Sequence, residues 1–234
     1  PVASPRVRAG PSTRRKRAAV PPPRQPLLHD ALTVLRAPTQ AWSAPDGTIG
    51  AAPIHGIYLA DVRLVQHLAL TVDGVTPEHI ATASSAADRA RIQYLVRDLD
   101  DDSADPGVRL VLDRRTSADG STDTLRLINR RGVELSARVV IELVADASLM
   151  ESIKRGLPPT SAPAVTLTTV GADEAGARAA AAQWSGESVD VTLRAEGLTM
   201  EVDGATVRLI ADLTVPARGQ ADMAWHLSLI HISE

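Results

Sequence analysis

Apolar and polar residues alternate along most of the chain from residue 30 onward, and this period-two pattern predicts β-strands. In the clearest run, 133–145, all seven odd positions are Val, Leu, Ile or Ala, and most even positions are polar. On a strand these seven side chains share one face, and burying each of the larger ones is worth roughly 1.5–3 kcal/mol. A helix would scatter them around its axis, so the pattern favours a strand.

Similar runs recur along the chain, separated by short polar turns. Three turn dipeptides are typical of β-hairpins, namely Asp73-Gly74, Asp119-Gly120 and Asp203-Gly204. Longer turns are predicted at 129–132 and 216–219. Many strands joined by short turns predict an all-β fold, a large antiparallel β-sandwich.

Two segments interrupt the alternation. Ala172–Gln183 is rich in Ala and is compatible with a short helix, which Gly171 and Gly176 weaken. Residues 146–156 place Leu149, Met150 and Ile153 at helical spacing, which predicts either one helical turn or a bent connection.

Charge divides the chain into a basic N-terminal tail and an acidic body. Residues 1–26 carry seven basic side chains and no acidic one, whereas 27–234 carry 18 basic and 28 acidic side chains. The first segment is rich in Pro, Arg and Ala and has too few apolar side chains to offset the entropy of ordering, so we predict a disordered tail. Arg14–Arg17 is either a solvated part of that tail or a nucleic-acid or targeting patch.

The two ends of the chain suggest a fragment of a longer gene. The chain begins at Pro1, and the first Met is Met150. Residues 227–234 resemble translated sequencing-adapter DNA of the kind found in metagenomic gene fragments, although their alternation also fits a native strand. We therefore predict a sandwich domain at 27–226 and a non-native tail at 227–234.

Composition excludes several classes of chemistry. The chain has no Cys, which excludes disulfides, thiolate metal sites and a Cys nucleophile. Five aromatic residues and an acidic body argue against nucleic acid as a partner. No apolar run approaches the ~18 residues that predict a transmembrane helix. No nucleophile motif, glycine-rich phosphate loop or metal-ligand spacing is present, so we predict no catalytic, cofactor-binding or metal-binding residue.

A few residues nevertheless carry possible chemistry. The acidic segment 98–105 holds five carboxylates without EF-hand spacing, which favours a solvated loop over a calcium site. Asp61 and Arg63 would share one face of a strand, where they could pair or where Arg63 could hold a carboxylate or a sugar hydroxyl. Trp42 and Tyr58 could stack on sugar rings or fill the core.

The order of several short motifs resembles the N-terminal domain of bacterial glycogen-debranching, amylo-α-1,6-glucosidase-like proteins. In that family a Gly-x-x-x-x-Asp-Thr-Arg stretch precedes a strand that ends in Asn-Gly or Asp-Gly, and a later Ala-Asp-Phe leads to Arg-Gly. The matching segments here are Leu28–Leu35, Trp42, Asp46-Gly47, Gly56–Arg63, Leu68–Gly74, Leu125–Asn129, Val139–Asp146 and Ile153–Gly156. The family Thr is Val62, and family Phe positions hold Tyr58, Leu64 and Leu149.

This resemblance implies a supersandwich-like β domain that packs on a catalytic α-helical barrel of the same parent chain, with α-glucan as a further ligand. It also implies a bacterial, cytoplasmic protein of carbohydrate metabolism whose barrel holds the catalytic carboxylates, so this chain alone would be inactive. The candidate cleft or interface residues are Trp42, Tyr58, Asp61, Arg63 and Arg155. The alternatives are a stand-alone carbohydrate-binding module and a purely structural sandwich.

Overall fold

The alternating residues form the strands of two large antiparallel sheets in a computed structural model, which describes residues 30–101, 105–157, 162–172, 178–186 and 189–231. A short α-helix, α1 (Met150–Lys154), and a 3-10 turn at Arg97–Leu99 interrupt the strands. The strands are β1 (Leu32–Arg36), β2 (Thr39–Ser43), β3 (Gly56–Leu59), β4 (Val62–Val72), β5 (Glu78–Ala86), β6 (Arg89–Leu95), β7 (Val108–Ser117), β8 (Gly120–Asn129), β9 (Leu135–Ala145), β10 (Thr166–Ala172), β11 (Arg178–Ser185), β12 (Val189–Glu196), β13 (Thr199–Asp203), β14 (Thr206–Val215) and β15 (Gln220–His231).

The sheets pack face to face around the main hydrophobic core. The first has seven strands in the order β1-β2-β3-β4-β9-β14-β13, and the second has eight in the order β10-β11-β12-β15-β8-β7-β6-β5. Strand β9 shows how the alternation builds this core, because Leu135, Val139 and Ile141 are buried while the residues between them are more exposed. The predicted all-β antiparallel sandwich is confirmed. The predicted tail at 1–26 lies outside the described residues.

The Asp-Gly turns do not all make hairpins. Asp119-Gly120 and Asp203-Gly204 join adjacent strands of one sheet, β7 to β8 and β13 to β14, as predicted. The hairpin predicted at Asp73-Gly74 is wrong, because the turn is followed by a crossing from β4 in the first sheet to β5 in the second. A tight turn reverses the chain locally, but the next strand's partner depends on distant contacts.

The predicted helix at Ala172–Gln183 is also wrong over residues 178–183, which belong to β11. This strand pairs with β10 on one side and β12 on the other. Ala181 and Ala182 are buried there. Sheet pairing on both edges outweighs the helical propensity of Ala, which amounts to less than about 1 kcal/mol per residue. The prediction of one helical turn within 146–156 is confirmed by α1.

The last strand continues past the predicted domain boundary at residue 226. Residues 227–231 extend β15, with Leu227 opposite both Ser121 in β8 and Leu193 in β12, and its side chain is buried. Residues 232–234 lie outside the described residues. The structure does not test the foreign origin of 227–234, which stays a prediction. None of the helices formed by the described residues could span a membrane.

Candidate functional site

The two motif segments that carry the family resemblance meet in space at one end of the seven-stranded sheet. Arg63 lies near the start of β4, and Asp146 directly follows β9, the neighbouring antiparallel strand. Arg63 Nε donates to Asp146 Oδ2 over 2.5 Å, and both side chains are buried. Two backbone hydrogen bonds, Asp146 N to Leu64 O and Arg63 N to Ser148 O, fix the segments side by side.

Further polar contacts satisfy this buried ion pair, as a buried charge requires. Asp146 Oδ1 accepts hydrogen bonds from Ala147 N at 2.9 Å and from Ser148 Oγ at 2.7 Å. Arg63 Nη1 donates to the carbonyl of Pro53 over 2.8 Å. The pair therefore ties three segments together: the loop before β3, the start of β4 and the connection from β9 to α1.

The glycine of the first motif makes room for Arg63. A Cβ added at Gly56 would lie 2.5 Å from Arg63 Cδ and 2.7 Å from Arg63 Cγ, closer than carbon atoms can approach. The Arg63 side chain packs directly against the Gly56 backbone and reaches Asp146 from there. A residue with a side chain at position 56 would block this path, which explains the glycine in the motif.

Asp61 does not take the position that its spacing predicts. It lies exposed in the two-residue turn between β3 and β4, beside Ala60 with φ +49°. The rule that residues two apart share a face holds only within a strand, so the predicted pairing with Arg63 is wrong: Arg63 pairs with Asp146 instead. Asp61 contributes its carbonyl, which accepts a hydrogen bond from Met150 N over 2.7 Å at the start of α1.

Tyr58 and Trp42 help to form a small second core beneath α1. Tyr58 is fully buried with Ile54 and Met150, and Trp42 packs against this cluster. The Tyr58 hydroxyl donates to the Ile54 carbonyl over 2.7 Å, and burial raises the pKa of Tyr58 to about 12. Trp42 Nε1 donates to Gln40 Oε1 over 3.1 Å. Both rings therefore anchor the 50–57 loop.

The remaining candidate, Arg155, is exposed directly after α1. Its Nη1 lies 3.5 Å from Glu151 Oε1, one helical turn earlier. A cleft of about 350 Å³ opens beside α1 and is lined by residues that include Pro53, Arg63 and Ile153. Arg155 is not among its lining residues. The structure thus brings Trp42, Tyr58 and Arg63 together around α1, and leaves the Asp61 and Arg155 side chains at the surface.

Sequence reasoning missed Asp146 as the partner of Arg63, together with Ser148. The available signal was an Asp at the end of the longest alternating run, within the Ala-Asp motif. It also missed a second buried pair: Arg114 Nη2 donates to Asp123 Oδ2 over 2.8 Å, and Arg114 Nη1 donates to the Gly47 carbonyl. Burial by itself lowers the pKa of Arg114, but the Asp123 carboxylate reverses this, so the pKa is raised and the guanidinium stays charged.

His55 is a buried titratable residue beside the Arg63–Asp146 pair. Its ring is buried, its Nδ1 has no hydrogen-bond partner within the described residues, and its backbone carbonyl accepts from Arg63. Burial lowers the pKa of His55 below 6.5, against an opposing effect of Asp46. The unfolded chain therefore binds a proton at His55 more readily than the folded chain does.

We expect the free energy of unfolding to fall as the pH decreases through about 6.5, and part of this fall should be absent from H55Q. Urea denaturation between pH 5 and 8 measures it, and the difference between the two proteins separates His55 from the other histidines. H79Q, at an exposed histidine, is the control. Parallel pH profiles for H55Q and the unchanged chain would contradict the prediction.

The fold of this chain is similar to that of several solved structures. It is similar to a galactose mutarotase-like protein from Lactobacillus casei ATCC 334, with a TM-score of 0.59 and 7% identity over 86% of this chain and 100% of that one. The Slr1438 protein from Synechocystis sp. PCC 6803 is similar with a TM-score of 0.54 and 8% identity, over 89% of this chain and 97% of that one. At such identities the likeness shows the fold alone, a β-sandwich of two large sheets.

The chain belongs to the family of N-terminal domains found in some glycogen debranching enzymes, whose family model matches residues 34–226. This confirms the resemblance drawn from the motifs. The match includes Gly56, Arg63, Asp146 and Gly156. A comparison with curated proteins finds no match.

Proposed function

We propose that the chain is the non-catalytic N-terminal domain of a glycogen-debranching-like glycoside hydrolase, and that it packs on a catalytic α-helical barrel and shapes its cleft. The observation that supports this most is the meeting of both family motifs at the Arg63–Asp146 pair, which fixes α1 and the 50–57 loop. The side chains of Arg63 and Asp146 are engaged with each other and with neighbouring backbone groups. They hold a surface segment in one position, as a docking surface requires.

Exposed apolar side chains beside α1 support the same proposal. Leu149 and Leu157 flank the helix and are 45% and 48% exposed. Ile153 is partly buried between them and lines the cleft. Apolar side chains grouped around a rigid, polar-anchored element favour contact with another protein surface. The barrel of the parent enzyme is the partner that the family suggests.

The alternative of a stand-alone carbohydrate-binding module has less support. Such a module needs exposed aromatic rings that stack on sugars. Four of the five aromatic residues, Tyr58, Tyr94, Trp184 and Trp225, are buried, and Trp42 is partly buried in the small core. A purely structural sandwich would not require apolar side chains grouped beside α1, although single exposed ones such as Leu35 occur elsewhere. A cytoplasmic location and a bacterial source remain part of the proposal.

The docking proposal is tested with the gene that encodes this chain. We expect the sequence after residue 226 to encode an α-helical barrel with paired Asp or Glu residues, and we expect the separately expressed barrel to bind this chain. The double variant L149D/L157D should weaken this binding by at least about tenfold, because it places charges in an apolar contact. I80D/V133D is the matched control: both residues are similarly exposed, Ile80 lies in β5 of the other sheet, and Val133 precedes β9, whose far end leads to α1.

Binding can be measured by isothermal titration calorimetry, and circular dichroism verifies that the variants fold. A gene without a barrel, or equal loss of binding in L149D/L157D and I80D/V133D, would overturn the proposal. We further expect the purified chain to release no glucose from a branched α-glucan. Glucose release that persists after removal of contaminating activities would contradict the non-catalytic role.

A further inference from the structure

A row of five polar residues, three of them arginines, crosses the outer face of the eight-stranded sheet, whereas the Arg63–Asp146 motifs lie in the seven-stranded sheet. Strand pairing places its members directly opposite one another on five adjacent strands. From β6 to β12, this arginine row consists of Arg89, Arg115, Thr122, His226 and Arg194. Adjacent members are about 5 Å apart at the backbone, since that is the spacing of paired strands.

The arginine row differs from the other strand pairs in the charges that lie opposite each other. Elsewhere in the described sheets, arginines with a charged residue directly opposite face an acid: Arg91 faces Asp113, Arg126 faces Asp222, Arg138 faces Asp212, Arg208 faces Glu142, and the buried Arg114 faces Asp123. Arg89 instead faces Arg115. Like charges directly opposite in a sheet are destabilising, so the fold carries a cost here that a bound anion would offset.

Few acidic groups neutralise this row. Within the described residues, the guanidinium groups of Arg115 and Arg194 form no ion pair or hydrogen bond, and both residues are exposed. Arg89 has one long contact, 3.6 Å from its Nε to Asp88 Oδ1. The nearby Asp113 is already held by Arg91 through two hydrogen bonds of 2.7 and 3.0 Å. The row is thus a local positive strip on a body whose overall charge is negative.

A groove follows the β6, β7 and β8 part of the row. It has a volume of about 540 Å³, and its lining includes Arg89, Arg115, Thr122 and Thr124. Two carboxylates also line it, Asp88 and Asp113, and each already contacts an arginine. Thr122 Oγ1 lies 2.8 Å from His226 Nδ1, which orients the hydroxyl and the imidazole along the row. This volume exceeds what an inorganic anion fills and falls in the range of small-molecule sites. Hydroxyl and guanidinium groups can both bind sugar hydroxyls.

We propose that this groove binds a phosphorylated sugar, with Arg89 and Arg115 holding the phosphate and the threonines facing the sugar. Guanidinium groups form paired, charge-assisted hydrogen bonds with phosphate oxygens, and two arginines on neighbouring strands can act on the same phosphate. This inference does not depend on docking to a barrel, because the groove lies on the eight-stranded sheet and α1 follows a strand of the seven-stranded sheet. Either proposal can therefore be disproved without affecting the other.

The test is titration of the full chain with glucose 6-phosphate, glucose and inorganic phosphate by isothermal titration calorimetry in a phosphate-free buffer. We expect glucose 6-phosphate to bind more tightly than inorganic phosphate, and glucose to bind least. R115Q should weaken binding of glucose 6-phosphate about tenfold or more, because it removes charge-assisted hydrogen bonds. R138Q, an exposed arginine of a β-strand in the other sheet, is the matched control.

Stability gives a second, independent readout. In the absence of ligand, R115Q should melt at the same temperature as the unchanged chain or at a higher one, because it relieves the repulsion with Arg89. If R115Q does not fold, R89Q tests the same pair. The proposal fails if no phosphorylated probe binds, if R138Q weakens binding as much as R115Q does, or if inorganic phosphate binds as tightly as glucose 6-phosphate. The last result would indicate a site for free anions.

Discussion

Replacement of Arg114 by Ala is expected to lower the free energy of unfolding by about 3–5 kcal/mol. Arg114 is fully buried between the sheets, and its guanidinium forms three hydrogen bonds to the Asp123 carboxylate. R114A leaves Asp123 buried without a cation, and it also leaves the Gly47 carbonyl without its donor. Urea denaturation followed by circular dichroism measures the loss.

The matched control for R114A is R91A. Arg91 also makes two hydrogen bonds to an opposite aspartate, Asp113, but its side chain is 57% exposed, so the loss should be below about 1 kcal/mol. The double variant R114M/D123L should be more stable than R114A, because it removes both buried charges instead of one. Equal losses in R114A and R91A would show that the buried pair contributes no more than an exposed one.

Replacement of Asp146 by Ala is expected to have a similarly large effect, about 3–5 kcal/mol, with a local component at α1. D146A leaves Arg63 buried without its carboxylate and removes the acceptor for Ala147 N and Ser148 Oγ. The connection to α1 then loses its main anchor. We expect faster amide hydrogen exchange in 147–157 even under conditions where the rest of the chain stays folded.

D212A controls for the loss of a carboxylate, because Asp212 pairs with Arg138 on an exposed surface. It should cost less than about 1 kcal/mol and leave exchange at α1 unchanged. S148A should fall between the two, at about 1 kcal/mol, since it removes one hydrogen bond to Asp146. If D146A unfolds the chain without any earlier loosening of 147–157, the pair supports the whole sandwich and not α1 in particular.

The Arg63–Asp146 pair also explains why short motifs sufficed to predict the family. Each motif contains one half of a contact: Gly56 and Arg63 in the first, Asp146 and the Arg155-Gly156 end of the helical turn in the second. Loss of either half would leave a buried charge unpaired. The motif residues are therefore required by the fold. The role of the segment in a larger enzyme stays a proposal.

Parts of the site were predictable because they depend on local geometry. The helical turn at α1 follows from the spacing of Leu149, Met150 and Ile153, and its position after the strand follows from the order of the segments. The ion-pair partner of Arg63 was not predictable from spacing. Residue 63 lies 83 positions before Asp146, and only the pairing of β4 with β9 brings them together.

By itself, the sequence determined the fold class of this protein, an antiparallel β-sandwich. The alternation of apolar and polar residues in runs such as 135–145 identifies which side chains are buried. This follows because successive side chains of a strand point to opposite faces, a local property of the backbone. Tertiary structure decided that Asp73-Gly74 leads from a strand of one sheet to a strand of the other instead of forming a hairpin, that 178–185 is a strand, and that Arg89 faces Arg115. These depend on which strands become neighbours, a choice made by long-range packing that no short stretch of sequence contains.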